Sequence, residues 1–157
     1  MSKTPEKLEC DYLVIGSGAT GIAFVDQLIN ENLDHKVILI DKRAKPGGHW
    51  VDSYPFVRLH QPAAWYGVNS KSLGNGGADL ASKAQILAYY EQVIDELKST
   101  GRLSYYPQCE YQGDGKFRSL LDENVRYEVS QFFLKIKNNV GNLQYYEISN
   151  TTLYSNI

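Results

Sequence analysis

Between Gly16 and Gly21 the chain reads Gly-Ser-Gly-Ala-Thr-Gly, the spacing G-x-G-x-x-G. Glycines so placed can hold a diphosphate on main-chain NH groups. Gly16 permits a tight turn, Gly18 lets a pyrophosphate reach the backbone without meeting a Cβ, and Gly21 lets a following helix pack against the preceding strand. Ala19 and Thr20 then fall in the first helical turn, where unpaired amides and the partial positive charge of the helix face the phosphates. Asp41 stands twenty residues beyond Gly21. A carboxylate there can accept hydrogen bonds from an adenosine ribose, each worth roughly 1.5–3 kcal/mol, and its charge disfavours a ribose 2′-phosphate. Lys42 and Arg43 follow directly. An arginine at that position could accept a 2′-phosphate, or stack on the adenine and counter the pyrophosphate, and beside Asp41 the second role is preferred. Lys42 reads equally well as a solvated surface charge.

These residues need a strand, a turn and a helix to position them, and the flanks supply all three. Tyr12-Leu13-Val14-Ile15 is a continuous apolar run of the kind seen in strands covered on both faces. From Ala19 to Asn30 the residues Ile22, Val25, Leu28 and Ile29 recur at helical spacing, with Asn30 to Asp34 as a polar exit, and Val37-Ile38-Leu39-Ile40 repeats the buried-strand pattern up to Asp41. Strand, helix and strand make a βαβ unit with a right-handed crossover. Lys42 to Ala81 is irregular, holding Pro46, Pro55, Pro62 and six glycines. So long a connection in a compact domain points to a functional role. Ser82 to Gln85 has the capping-box form S-x-x-Q, followed by a helical face of Ile86, Tyr90, Val93, Ile94 and Leu97 that Gly101 stops.

Leu103 to Tyr106 reads as a third core strand ended by Pro107. Lys116 to Leu120, Val125 to Lys137 and Leu143 to Ser149 read as an antiparallel meander, with turns at Gly113-Asp114-Gly115, Asp122-Glu123-Asn124 and Asn138 to Asn142. The expected fold class is therefore α/β, a Rossmann-like parallel sheet with an antiparallel β-meander. The core strands should lie in the order third, second, first. Both helices then share one face and the meander covers the other. The outer flank of the first strand is left open, and another chain, another copy, a C-terminal portion or the residues Thr151 to Ile157 are expected to pair there.

Composition narrows the function classes. The 157 residues are 43% hydrophobic and 22% charged, with net charge -2, which suits one domain with a core and offers no basic track for nucleic acid or an acidic membrane surface. No apolar stretch approaches the roughly 20 residues of a membrane span, and Met1 to Cys10 is polar where a signal peptide is apolar. A cytoplasmic location is expected. Cys10 and Cys109 form no C-x-x-C pair, which argues against a disulfide framework or zinc site and for buried, idle thiols.

Gly16 to Gly21 and Asp41, followed by Pro46-Gly47-Gly48-His49-Trp50, resemble the FAD-binding start of two-dinucleotide-binding flavoproteins. The likeness is to the flavin-containing and Baeyer-Villiger-like monooxygenases with their G-G-x-W segment, and to pyridine nucleotide-disulfide oxidoreductases. It spans about the first 110 residues. Asp41 departs from the usual Glu, and His49 from a small polar residue. The resemblance implies FAD as cofactor, with Gly48, His49 and Trp50 along the pyrophosphate, ribityl chain or flavin ring; paired glycines and a flat indole suit that place. Taken alone, Pro46-Gly47 is a turn and Trp50 a core residue. In the continuation, Tyr54 to Pro62, Gln61 and His60 would lie near the flavin, although His60 reads equally as an ordinary loop histidine. Trp65 and Tyr66 read as packing residues. The backbone of Cys109, Glu110 or Tyr111 matches where this fold class holds adenine.

The family's later glycine-acid pair and the monooxygenases' second G-x-G-x-x-G, for NADPH, do not follow Gly21. The expectation is therefore a single, incomplete FAD/NAD(P)-binding domain over 1–157, with 1–110 as the nucleotide-binding part and 111–157 as the meander. It would serve a flavin-dependent oxidoreductase acting on an unknown small molecule, with NADPH as reductant in the intact enzyme. The alternatives are a non-catalytic dinucleotide sensor or accessory subunit, and a decayed copy without ligand. No catalytic residue is assigned.

Overall fold

A computed structural model describes residues 3–31, 34–131, 134–139 and 142–147. Strands β1 (Glu6–Glu9) and β2 (Tyr12–Ile15) lead into helix α1 (Ala19–Asn30), strand β3 (Val37–Ile40) and a single helical turn, α2 (His49–Asp52). A 3₁₀ turn at Ala63–Trp65 precedes helix α3 (Lys83–Ser99). Strands β4 (Leu103–Tyr106), β5 (Cys109–Gly113), β6 (Lys116–Ser119), β7 (Arg126–Gln131), β8 (Leu134–Asn139) and β9 (Asn142–Glu147) follow.

The main sheet has the order β4-β3-β2-β8-β9, parallel except where β9 runs antiparallel to β8. Alternation sorts its side chains between two cores. Tyr12, Val14, Val37, Leu39, Leu103 and Tyr105 pack on the side of α1 and α3, while Leu13, Ile38, Ile40 and Tyr106 pack on the other. Against that second face lies a sheet of order β1-β7-β6-β5, which contributes Leu8, Cys109, Tyr111, Phe117, Tyr127 and Val129. Both faces of the apolar strands are thus covered, as their unbroken hydrophobicity requires.

The expected strand order is present, and the meander covers the opposite face only in part, through β6 and β7, because the meander strand expected from Leu143 onward is β9 of the main sheet. The capping box is present: Ser82 Oγ accepts from Gln85 N, and Gln85 Oε1 accepts from Ser82 N. Gly101, at φ +75°, follows the C-terminus of α3. The expectation of an open flank on the first strand is corrected. Leu134–Asn139 lies parallel to Tyr12–Ile15 there, so that edge needs no partner chain or C-terminal portion. The segment 125–137 is accordingly not one meander strand but two, β7 in one sheet and β8 in the other. Glu6–Glu9, polar in sequence, is a strand paired parallel to β7. Thr151 to Ile157, the alternative candidate for the flank, and the 140–141 turn lie outside the described residues.

Phe117 is completely buried and stacks on Tyr127 with ring centroids 4.6 Å apart, with Tyr106 edge-on at 5.1 Å. Phe117→Ala should destabilise the chain by about 3–5 kcal/mol, read as a lower urea midpoint at unchanged slope. Cys10 and Cys109 are buried in the same core, and burial pushes the Cys10 thiol up to about 12. Neither should react with a disulfide reagent at pH 8 until denaturant is added; prompt labelling of the folded chain would contradict this packing.

Candidate functional site

The glycine-rich turn sits between β2 and α1, where Gly16 N donates to Ile40 O at 2.7 Å and so ties the turn to the end of β3. Gly16 has φ +103°, a conformation open to glycine. At Gly21 an added Cβ would lie 2.0 Å from the Gly16 carbonyl oxygen, which is the close helix–strand approach expected of the third glycine. Helix α1 opens at Gly18 with no side chain capping it, and Thr20 in its first turn is exposed. Its leading amides are therefore not spent on a side-chain cap.

The Pro46-Gly47-Gly48 segment lies directly on this turn. Gly47 N donates to Ser17 O at 2.8 Å, and a Cβ on Gly48 would come within 2.9 Å of Gly18 Cα. Two motifs separated by some 25 residues of sequence thus form one continuous backbone surface, and α2 leads away from it. Lys83 fastens the other end of α2, its Nζ donating to Val51 O at 3.0 Å and to Ser53 O at 2.5 Å. A lysine on the next helix gave no sign of this in the sequence.

Beyond α2 opens a cleft of about 360 Å³, lined by His49, Trp50, Arg58, Leu59, His60 and Gln61 among others. Four of the sequence-predicted site residues therefore meet on one cavity. Its described lining holds one guanidinium, Arg58, two imidazoles, His49 and His60, and no carboxylate. Trp50 is 6% exposed. Its Nε1 donates to Tyr66 Oη at 2.7 Å, so the indole is a core residue on one side and a wall of the cleft on the other. Tyr66 packs as expected, but Trp65 does not: it is 76% exposed, and that expectation is corrected. Arg58, which sequence reasoning passed over within the Tyr54 to Pro62 stretch, joins the lining and donates to Leu80 O at 3.2 Å.

Asp41 is 4% exposed. Its Oδ2 accepts from Ser17 N at 2.6 Å and Ser17 Oγ at 2.7 Å, and its Oδ1 accepts from Arg43 N at 2.8 Å. Arg43 itself turns to Asp52 on α2, donating from Nε at 2.8 Å and from Nη2 at 2.6 Å. These bonds hold the Asp52 carboxyl below its usual range. Lys42 is exposed. Near the end of β3, Cys109 N donates to Asp41 O at 2.9 Å, so that one of the three candidate adenine-binding amides is already taken. Glu110 faces Arg118 across β5 and β6, with Oε2 accepting from Nη2 at 2.8 Å.

The long loop between α2 and α3 is held by groups the sequence did not flag. Asp26, fully buried within α1, accepts from Ser70 N at 3.1 Å and from the Ser70 hydroxyl. Tyr89 Oη accepts from Val68 N at 2.7 Å and donates to Lys71 O at 2.5 Å. A lone acid amid an apolar helical face was the available signal for Asp26.

Residues 14–69 match the family described as NAD(P)-binding Rossmann-like domain. An uncharacterized protein of Mycobacterium tuberculosis is 51% identical over 124 residues, covering 72% of this chain and 23% of that protein. A probable FAD-binding monooxygenase of Acinetobacter baylyi is 30% identical over 87 residues, covering 55% of this chain and 17% of the other. The chain thus spans about a quarter or less of the length of these relatives. Among solved structures, a flavin-containing monooxygenase from Stenotrophomonas maltophilia aligns with TM-score 0.57 at 19% identity, over 79% of this chain and 37% of that one. A bacillithiol disulfide reductase from Bacillus cereus aligns with TM-score 0.60 at 14% identity, over 80% and 39%. The fold is Rossmann-like, similar to the folds of flavin monooxygenases and disulfide reductases. The resemblance read from Gly16–Gly21, Asp41 and the Gly-Gly-His-Trp segment agrees with these matches. Among the described residues no helix is long and apolar enough to cross a membrane.

Gly48 has φ +58° and leaves no room for a methyl group against Gly18. Gly48→Ala should cost about 1–3 kcal/mol through backbone strain. A urea midpoint equal to that of the unaltered chain would show that the two turns do not meet.

Proposed function

We propose that this chain is the FAD-binding segment of a flavin-dependent oxidoreductase of the monooxygenase-like kind, forming one nucleotide-binding domain of a longer protein. The observation that carries the reading is the contact of Gly47 and Gly48 with Ser17 and Gly18. It joins the phosphate turn to the cleft without interruption, as an extended dinucleotide with a flat ring at its far end requires. In this reading Gly16, Gly18, Ala19, Thr20 and Gly21 receive the diphosphate, the phosphates resting on the amides at the start of α1. Gly48 lets the ligand's linking chain pass close to the backbone. His49 and Trp50 form one wall of the ring site, with His60 and Gln61 offering polar atoms to the ring's edge. Asp41, with Lys42, Arg43 and the backbone at Glu110, lies at the adenosine end.

FAD, when bound, supplies the electron-transfer chemistry of its isoalloxazine ring, and the protein supplies binding, orientation and exclusion of water. The Arg58 guanidinium in the cleft lining favours a ring that gains negative charge. NADPH, the small-molecule substrate and the residues that act on them are assigned to the longer protein. The accessory-subunit alternative relied on an open strand flank for docking, and β8 occupies that flank.

The purified chain should bind FAD in equimolar amount and turn yellow, and acid or heat should release intact FAD. Gly18→Val places a branched side chain where phosphate is to lie and should lower FAD affinity at least tenfold, measured by flavin fluorescence. A chain that stays colourless at millimolar FAD, or a variant that binds as well as the parent, would overturn the assignment.

A further inference from the structure

The acid at the end of β3 is placed to read a ribose, yet its carboxylate is already occupied. Three donors reach it: Ser17 N and Ser17 Oγ on Oδ2, and Arg43 N on Oδ1. An ionised carboxylate offers about four lone-pair sites, so about one remains, on a residue almost wholly shielded from solvent. A carboxylate can only accept, so the Ser17 hydroxyl proton is committed to Asp41. Tyr105, on β4, lies with its hydroxyl 3.2 Å from Ser17 Oγ. With the serine proton used, that contact runs from Tyr105 as donor to Ser17 as acceptor. Burial and the nearby Asp41 charge push the Tyr105 phenol up to about 12, so it keeps its proton at neutral pH.

The result is a directed chain, Tyr105 to Ser17 to Asp41, beneath the glycine-rich turn. Ser17 is fully buried and lies between the first two glycines. Its two bonds to Asp41 fix the orientation of the peptide from which the turn begins. An aspartate stem, one methylene shorter than a glutamate stem, keeps the carboxylate against the turn instead of extending it toward the surface.

We propose that Ser17 and Tyr105 are positioning residues that keep the Asp41 carboxylate under the phosphate turn, so that it sets the shape of that turn and reads the ribose 2′-hydroxyl only weakly. This rests on the dinucleotide reading above and deepens it: diphosphate recognition dominates, and the ribose is selected little.

Calorimetric titration of the full chain with ADP and with 2′-deoxy-ADP tests this. The unaltered protein should bind the two within about twofold. A carboxylate that accepts from the 2′-hydroxyl would give a ratio of about tenfold or more, the usual effect of a hydrogen bond to a charged acceptor. Ser17→Ala removes the hydroxyl donor, leaves the backbone amide on Oδ2, and so opens one further acceptor position of that oxygen to a ribose hydroxyl. It should weaken ADP binding several-fold while raising the ratio of 2′-deoxy-ADP to ADP dissociation constants above that of the parent. Tyr105→Phe, which keeps the ring and the core packing, should move the ratio in the same direction by less. A role confined to stability would weaken both nucleotides equally and leave the ratio still. A tenfold ratio in the unaltered chain, or a ratio that neither variant shifts, would overturn the proposal. Failure of the unaltered chain to bind ADP, 2′-deoxy-ADP or FAD would overturn the dinucleotide reading, and this proposal with it.

Discussion

A methyl group at position 21 would sit 2.0 Å from the Gly16 carbonyl oxygen, and one at position 48 would sit 2.9 Å from Gly18 Cα. The candidate site depends on these two meetings of bare backbone. The first brings α1 down onto the end of β2, so that the helix axis points its free amides at the turn. The second lays the Pro46-Gly47-Gly48 segment across the same turn and fixes where α2 begins. A side chain at either place would separate the surfaces and break the path from the amides to the cleft beside Trp50.

Backbone contacts of this kind hold only if the strands beneath them are fixed, and the two-sided burial of β2 and β3 does that. Val14 and Leu39 face the helices, while Leu13, Ile38 and Ile40 face the second sheet. A one-residue slip of either strand would exchange the two sets and misplace the turn at its end. The second sheet therefore contributes to the site without touching it. Phe117, Tyr127 and Tyr106 hold it against the lower face of the main sheet.

The remaining order comes from polar groups that fasten the irregular chain between Lys42 and Ala81. Asp26 and Tyr89 bind the backbone near Ser70 and Val68, and Lys83 takes the carbonyls at the end of α2. Buried polar groups are costly unless paired. Once paired, they hold one loop conformation where a purely apolar contact would tolerate several. His49, His60 and Gln61 are brought to one cavity by this fastening. The exposed ion pair of Arg43 with Asp52 adds little energy of its own, but it directs the guanidinium toward α2.

The sequence by itself determined the parallel core strands, both long helices with the capping box of α3, the hairpin at Gly113-Asp114-Gly115 and the glycine-rich turn. Each of these is written in local terms, by side-chain period, capping chemistry or a residue without Cβ. Only the tertiary structure decided that 125–137 divides between two sheets. An alternating pattern states that a strand has two unlike faces and is silent about which neighbour it pairs with. It likewise decided that Glu6–Glu9 is a strand, since an edge partner donates its backbone whatever its side chains are, and that Trp65 faces outward while Trp50 is buried. Asp41 shows the same division: its place at the end of β3 follows from the sequence. The engagement of its carboxylate by Ser17 depends on how close two chain ends come when the sheet is assembled.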